Sequence, residues 1–238
     1  MTSPTVLFIH GAFADASSWR RVYDHLARDG ETVLAPANPL RGIPYDAAYA
    51  ESLIDQVEGP VVLVGHSYGG AVITVAGSSD KVAGLVYVAG LVPDEGESVN
   101  DLQGRFPSLA MGPLVRPAEL PDGSVEISID PARFPDVFGA DLPADDAAFR
   151  AISQRPVAAT AFDDPATAAA WRAKPSWAVF GTGDRPVAPQ LHRFSFDRAG
   201  ADVTEVDGAS HLLMLSQPDI VAGVIDAAVK AGTVRAAA

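Results

Sequence analysis

A serine stands between two glycines in a setting suited to nucleophilic chemistry. The motif Gly65-His66-Ser67-Tyr68-Gly69-Gly70 follows the apolar run Val61–Val64 and precedes the apolar stretch Ala71-Val72-Ile73-Thr74. A sharp strand-to-helix turn would hold this serine in a strained conformation, and the flanking glycines leave room for the packed strand and helix. Such a turn lifts the Ser67 hydroxyl above the carboxyl edge of a sheet, with a helix N-terminus beneath it. The pattern predicts that Ser67 is a nucleophile.

A serine hydroxyl is a weak nucleophile near neutral pH and needs a base within hydrogen-bond reach. Of the 5 histidines, His211 follows the last predicted strand in a loop that opens towards the same sheet edge. His66, next to the nucleophile, is expected to line the pocket, and His10 is expected to brace the loop after the first strand. His25 and His192 fall in helical stretches and are expected on the surface. We therefore predict that His211 is the base.

The base in turn needs a carboxylate that orients it. Asp184 follows the apolar run Ser176–Phe180 in Gly181-Thr182-Gly183-Asp184, which brings it to the same edge of the sheet. Asp94, after the preceding strand, is the alternative, whereas Asp207 is expected to cap its own turn. With Asp184 as the acid, the chain order is nucleophile, acid, base, which is the Ser…Asp…His order of one hydrolase superfamily.

A tetrahedral intermediate also needs hydrogen-bond donors for its oxyanion. The loop His10-Gly11-Ala12-Phe13 turns sharply at Gly11 directly after the first apolar run. The natural pair of donors is the backbone N–H of Ala12 and that of Tyr68, the residue after the nucleophile. Each donor of this kind is worth about 3 kcal/mol of transition-state stabilisation.

The elements that must position these groups alternate along the chain. Short apolar runs predict strands at Thr5–Ile9, Thr32–Ala35, Val61–Val64, Leu85–Ala89, Ser176–Phe180 and Val203–Val206. Helical spacing is found from Trp19 to Leu26, from Ala47 to Val57, from Ala71 and after Ser216. Because the runs are apolar throughout, they are typical of parallel strands buried on both faces. The alternation predicts an α/β fold with a mostly parallel, doubly wound sheet.

The alternation fails between about residues 91 and 170. This segment holds 10 of the 19 prolines, and its 14 acidic residues against 5 arginines give a net charge of −9. Five phenylalanines in it nevertheless need burial: Phe106, Phe134, Phe138, Phe149 and Phe162. We interpret the segment as an irregular or short-helical cap inserted into one domain of residues 1–238, whose core is 1–90 and 171–238. Such a cap would act as the lid of a pocket.

Composition excludes several kinds of partner and site. The net charge of −13 argues against binding nucleic acid or a membrane through a basic patch. The absence of cysteine excludes disulfides, cysteine-ligated metals and a thiol nucleophile. The longest uncharged apolar stretch, Val82–Pro93, is too short to span a bilayer, and the N-terminus shows no signal-peptide pattern. A cytoplasmic location is therefore expected.

Cofactor and metal sites are not expected either. Gly181-Thr182-Gly183 lacks the third glycine of a dinucleotide-binding loop, and no phosphate-loop lysine motif is present. The acidic pairs Asp145-Asp146 and Asp163-Asp164 stand beside alanines and prolines, where solvated helix starts explain them better than metal ligation.

Taken together, these motifs resemble the α/β-hydrolase superfamily over nearly the full chain. Within it, His10-Gly11-Ala12-Phe13, the Gly65–Gly70 elbow, Pro93-Asp94-Glu95-Gly96-Glu97 and Ser210-His211 are similar to small bacterial esterases. Those esterases are related to the plant methylesterase and hydroxynitrile lyase branch and, more distantly, to cofactor-free haloperoxidases. Ser67 argues against the epoxide hydrolases and dehalogenases, which have aspartate at the elbow. Leu212 stands where the plant lyases have lysine, which argues against lyase activity.

The resemblance implies hydrolysis of carboxylic esters without a cofactor, using Ser67, His211 and Asp184. A pocket that includes Phe13, His66, Leu91 and Leu212 is expected to take small to medium apolar groups. The same triad could instead serve perhydrolysis or haloperoxidation, thioester or lactone hydrolysis, or carbon–carbon cleavage. A non-catalytic ligand receptor on the same scaffold is a further alternative. The expected partner is a small ester substrate, and a homodimer is left open.

Overall fold

The computed structural model describes residues 3–107, 109 and 111–235. Within these residues the strands, in chain order, are β1 (Thr5–Ile9), β2 (Val33–Leu34), β3 (Val61–His66), β4 (Val82–Val88), β5 (Val115–Glu119), β6 (Val125–Ile129), β7 (Val157–Ala158), β8 (Ser176–Gly181) and β9 (Asp202–Val206). The helices are α1 (Arg20–Leu26), α2 (Ile43–Gln56), α3 (Tyr68–Ala76), α4 (Val99–Gln103), α5 (Phe134–Phe138), α6 (Ala144–Ile152), α7 (Pro189–Arg198), α8 (Leu213–Ser216) and α9 (Pro218–Arg235).

Six strands form one parallel sheet in the order β2-β1-β3-β4-β8-β9. The register pairs Thr5 of β1 with Val61 of β3, and Tyr87 of β4 with Ala178 of β8. The strand order reverses direction beside β1, as in a doubly wound sheet. The predicted α/β architecture with a mostly parallel sheet is therefore confirmed. Because the strands are parallel, the loops after β1, β3, β8 and β9 open at the same edge.

Helices cover both faces of this sheet. Helix α3 packs on β1, β3 and β4 with α2 beside it, while α9 packs on β3, β4 and β8 with α1 beside it. Every residue of β1 and β3 is accordingly buried. Strands covered on both faces must be apolar throughout, which is the pattern that made them recognisable in the sequence.

The helix starts differ from the sequence prediction at two places. Helix α2 begins at Ile43 rather than near Ala47, with Pro44 in its first turn, where a missing N–H costs no helical hydrogen bond. Helix α3 begins at Tyr68, directly after the serine, rather than near Ala71. The glycines at positions 69 and 70 therefore lie inside the helix and bring it close to the sheet.

The segment between β4 and β8 contains a second sheet that the sequence analysis missed. Strands β5, β6 and β7 form an antiparallel sheet in that order, with Val115 paired to Ile129. The expectation of only irregular or short-helical structure was wrong here. Proline is tolerated on an edge strand, and Pro117 lies on the edge strand β5, whereas the central strand β6 has no proline.

The phenylalanines of this segment differ in burial. Phe134 and Phe138 are buried, and Phe106 and Phe162 are half-buried against the core. Phe149 is 57% exposed, contrary to expectation. Helix α6 buries its alanine face instead and leaves Phe149 on the outer side. Among the described residues, no helix has both the length and the apolar character needed to cross a membrane.

Candidate active site

The turn between β3 and α3 holds Ser67 in a strained conformation. Its φ of 52° and ψ of −121° lie outside the regions that L residues normally adopt, at a cost of about 1–3 kcal/mol. The neighbouring glycines are required by close approach: a Cβ on Gly65 would lie 2.5 Å from the carbonyl oxygen of Gly69, and a Cβ on Gly69 would lie 2.3 Å from that of Ile9. The geometry is that of a nucleophile elbow.

The loops after β8 and β9 bring the predicted acid and base together. Nδ1 of His211 lies 2.6 Å from Oδ2 of Asp184, and both residues are buried. Oδ1 of Asp184 accepts the backbone N–H of Val187 at 2.9 Å. A carboxylate beside Nδ1 fixes the hydrogen on that nitrogen, so Nε2 is left as the basic atom. Ser67 and His211 line the same cavity.

Asp184 is held as a carboxylate despite its burial. Burial alone would raise the pKa of Asp184, but the charge of His211 and the hydrogen bonds from His192 and His211 outweigh it. The pKa is therefore well below the usual value for aspartate. An ionised carboxylate next to the base can stabilise the imidazolium that forms when His211 takes a proton.

His192 is the residue of this site that the sequence analysis misplaced. It was expected on the surface, but it is only 1% exposed, and its Nε2 lies 3.1 Å from Oδ2 of Asp184. Its ring packs against Phe180 and Phe196, with centroid distances of 4.9 and 5.4 Å. In the sequence, His192 adjoins Leu191 and precedes Phe196 by four residues, but this spacing alone does not say which face of the helix meets the sheet.

The two expected oxyanion donors come from the loop after β1, which carries Ala12, and from the first residue of α3, Tyr68. Among the hydrogen bonds of the described residues, the backbone N–H groups of Ala12 and Tyr68 have no acceptor. The loop that carries Ala12 approaches closely, because a Cβ on Gly11 would lie 2.9 Å from Cβ of Ser67. Phe13 follows with a φ of 61°, a further strained residue in this loop.

His10 braces this loop from inside. Its Nε2 accepts the backbone N–H of Asn38 at 3.0 Å, its Nδ1 lies 2.9 Å from the carbonyl oxygen of Gly11, and its own carbonyl accepts the Asn38 side chain. Burial lowers the pKa of His10 to about 4, so the ring is neutral near pH 7.

The side chain of Tyr68 fixes the first turn of α3. Its hydroxyl donates to Oδ2 of Asp46 at 2.9 Å, and the other oxygen of Asp46 accepts the backbone N–H of Arg41. Burial raises the pKa of the Asp46 carboxyl and also that of the Tyr68 hydroxyl. This buried pair ties the helix that follows Ser67 to the start of α2.

A cavity of about 220 Å³ opens over Ser67 and His211. It is lined by Ala12, Phe13, Ser67, Leu91, Asn100, Gln103, Met111, Val115, Ile127, Ile129, Phe138, Ala159, Phe162, Pro186, Val187 and His211. None of these described residues carries an acidic or a lysine or arginine side chain. Ten of the sixteen lie between residues 91 and 170.

Two of the four expected pocket residues, Phe13 and Leu91, line this cavity. His66 does not, because its ring packs behind His211 and its Nε2 lies 3.0 Å from the His211 carbonyl oxygen. Leu212 also lies outside the lining and borders a small adjoining cavity instead. The difference arises because a residue next to Ser67 or His211 in the sequence need not face the cavity that these two residues line.

The alternative acids are engaged elsewhere. Asp94 forms a two-oxygen contact with the guanidinium of Arg172, at 2.8 and 2.7 Å. Asp207 accepts the hydroxyl hydrogen of Thr182 at 2.9 Å. Neither contacts a histidine among the described residues, so Asp184 is the carboxylate that the structure places beside His211.

Comparisons with known proteins agree with this architecture. Residues 6–224 match the model of a protein family described as "Alpha/beta hydrolase family". A probable hydrolase, R7, from Phoma sp. is 28% identical over 207 residues, covering 80% of this chain and 81% of the relative. A carbendazim hydrolyzing esterase from Nocardioides sp. is 33% identical over 109 residues, covering 39% and 44%. The crystal structure of polyneuridine aldehyde esterase superposes with a TM-score of 0.81 at 20% identity, covering 95% of this chain and 99% of that one. The resemblance stated from the sequence motifs is confirmed.

Proposed function

Because this chain belongs to the alpha/beta hydrolase family and is an ester-cleaving hydrolase, we propose that it hydrolyses small to medium, uncharged carboxylic esters through an acyl-enzyme on Ser67. The observation that carries the proposal is the hydrogen bond between His211 and Asp184 beside the cavity that Ser67 and His211 share. The strained backbone of Ser67 supports it, since such strain persists only where the surroundings enforce it.

The first half of the reaction forms the acyl-enzyme. Oγ of Ser67 attacks the ester carbonyl carbon while Nε2 of His211 takes the hydroxyl proton. The carbonyl oxygen becomes an oxyanion that accepts from the backbone N–H groups of Ala12 and Tyr68. Collapse of the tetrahedral intermediate breaks the bond to the alkoxy oxygen, which receives the proton from His211 and leaves as the alcohol.

The second half releases the acid. Nε2 of His211 takes a proton from water, and the hydroxide attacks the acyl carbon bound to Ser67. The same two N–H groups stabilise the second oxyanion. Collapse of this intermediate breaks the bond between the acyl carbon and Oγ of Ser67, which takes back the proton from His211, and the carboxylic acid leaves. Asp184 stays ionised throughout and keeps the hydrogen of His211 on Nδ1.

The lining of the cavity argues for uncharged substrates. A carboxylate or ammonium group of a substrate would lose its hydration there and find no opposite charge among the described lining residues. Asn100 and Gln103, three residues apart on α4, are the polar side chains of the lining besides Ser67 and His211. They suit a substrate with an apolar body and one hydrogen-bonding group.

We further propose that residues 91–170 form a cap that shapes this cavity. They supply most of its lining, whereas Ser67 and His211 come from the remainder of the chain. Substrate length and branching should therefore depend on the cap, and the chemical step on the core. In this arrangement, substitutions in the cap change KM and substrate preference more than the pH dependence of the reaction.

The experiment is hydrolysis of p-nitrophenyl acetate and butyrate by the wild type and by Ser67→Ala. We expect the loss of activity to reach several orders of magnitude, and a fluorophosphonate to label the wild type but not the variant. Ser52→Ala is the matched control, because Ser52 is exposed on α2 and, among the described residues, its hydroxyl bonds only to the local carbonyl of Tyr49. Equal turnover by the wild type and Ser67→Ala would remove Ser67 from the mechanism.

A further inference from the structure

The steps above do not use His192, a buried titratable side chain next to Asp184. Oδ2 of Asp184 has two histidine neighbours, Nδ1 of His211 at 2.6 Å and Nε2 of His192 at 3.1 Å. We propose that His192 is a positioning residue of the triad, whose Nε2–H donates to Asp184 and thereby limits how tightly the Asp184–His211 pair holds a proton. This inference rests on the proposed function.

The geometry fixes the direction of the hydrogen bond. Asp184 is ionised, so its Oδ2 can only accept, and Nε2 of His192 must carry the hydrogen. Helix α7 holds the imidazole in place, since the ring lies nearly parallel to Phe196, at 16°, and also contacts Phe180. With Val187 on Oδ1, the carboxylate then receives three hydrogen bonds and has a single orientation.

A donor on Oδ2 spreads the negative charge of the carboxylate. Without it, the charge acts more strongly on His211, and the imidazolium is favoured over the neutral ring. Because the two groups are in direct contact and titrate as one unit, the Asp184–His211 pair then binds its proton more tightly. Removal of the donor therefore raises the pH at which His211, the proposed base, loses its proton.

Other groups that face His211 do not change with His192. His66 packs against the ring at a centroid distance of 4.8 Å, and its Nε2 lies beside the His211 carbonyl. Asp141 accepts the backbone N–H of Ser210 at 3.0 Å, next to the base. These groups are the same in every variant, so a shift of the acidic limb between variants reports on position 192.

The test compares His192→Phe and His192→Gln by the pH profile of kcat/KM. Phenylalanine keeps the aromatic packing but has no donor, whereas glutamine keeps a donor near the same place. We expect His192→Phe to move the acidic limb upward by about one pH unit, with about tenfold lower kcat/KM on that limb and unchanged KM at high pH. His192→Gln should return the limb to near its wild-type position.

His25→Phe is the matched control. His25 also lies on a helix and also contacts an aspartate, Asp219 at 2.7 Å, but on the surface and away from the cavity lining. Its acidic limb should equal that of the wild type. An unshifted limb in a folded His192→Phe variant, with only a general loss of activity or stability, would overturn the proposal and leave His192 with a packing role.

A spectroscopic measurement separates this outcome from failure of the proposed function. The ring resonances of His211 can be titrated by NMR in the wild type and the His192 variants, whether or not any ester is cleaved. Inactivity of the wild type towards esters would count against the proposed function alone. A higher pKa of His211 in His192→Phe but not in His192→Gln would still support the positioning role, and equal values would refute it.

Discussion

Replacing Asp184 with asparagine tests how the acid acts on the base. The carboxylate accepts hydrogen bonds from His211, His192 and Val187. Asparagine has one acceptor oxygen and one donor nitrogen, so it cannot accept from all three. With its oxygen kept on the Val187 N–H, the amide nitrogen faces the two imidazoles. His211 must then present an unprotonated Nδ1 to the amide and carry its hydrogen on Nε2.

This change of tautomer predicts the size of the effect. A hydrogen on Nε2 points a donor at the serine, so His211 cannot take the proton from Ser67. In serine hydrolases the corresponding change costs about 10⁴ in kcat, which is about 5.4 kcal/mol of transition-state stabilisation. Binding of substrate depends on the apolar lining instead, so KM should stay within about threefold of the wild-type value.

The assay is steady-state hydrolysis of p-nitrophenyl butyrate from pH 5 to 9, with thermal unfolding of each variant as the folding check. Asp94→Asn is the matched control, because Asp94 is the other candidate acid and contacts Arg172 outside the cavity lining. It should retain activity within a few-fold. A folded Asp184→Asn variant with less than about tenfold loss, or a larger loss in Asp94→Asn, would refute the assignment of the acid.

Three further outcomes follow from contacts around Ser67. Gly69→Ala should abolish activity and soluble folding, because the added Cβ would lie 2.3 Å from a backbone oxygen of β1. Gly223→Ala is the control: the added Cβ would meet no neighbouring atom within 4 Å, so this variant should fold and react normally in the same expression and assay. Tyr68→Phe should lose about 1–3 kcal/mol of unfolding free energy in urea titrations, because Asp46 loses its buried donor, but should keep kcat within about tenfold, because the backbone N–H remains. The pKa of His10 is about 4 in the folded state and 6.5 in the unfolded state. The neutral His10 ring therefore contributes fully to the free energy of unfolding above pH 6.5, and about 3 kcal/mol of that contribution is lost as pH falls towards 4. The free energy of unfolding of His10→Gln should lack this part of the pH dependence.

The parts of the site that could be predicted from sequence are those fixed by local sterics and by the direction of parallel strands. The spacing of Gly65, Ser67 and Gly69 requires a tight strand-to-helix turn, and the structure has that turn. Asp184 and His211 follow strands that end at the same edge, so their meeting required only a parallel sheet. Neither inference depended on how distant side chains are rotated.

The parts that could not be predicted depend on rotation and on tertiary pairing. His192 was placed on the surface because helical periodicity alone does not say which face of α7 meets β8. His66 was expected in the pocket, but its ring contacts the His211 carbonyl from behind. The prolines of this segment predicted irregular structure in place of strands β5 and β6. Proline is compatible with an edge strand, but only the pairing of the strands shows that β5 lies at an edge.

Most of the net charge lies in residues 91–170, the proposed cap. The segment 91–170 carries −9 of the total −13, yet none of its described cavity-lining residues is charged. Most of its acidic side chains instead face outward or pair with arginines, as Glu97 does with Arg198 at 2.9 Å and Asp146 with Arg21 at 2.9 Å. An anionic ester would thus meet repulsion at the outer surface and an uncompensated loss of hydration inside. Salt screens the first effect but not the second, so exclusion of anions that persists at high ionic strength would locate their discrimination in the cavity rather than on the cap surface.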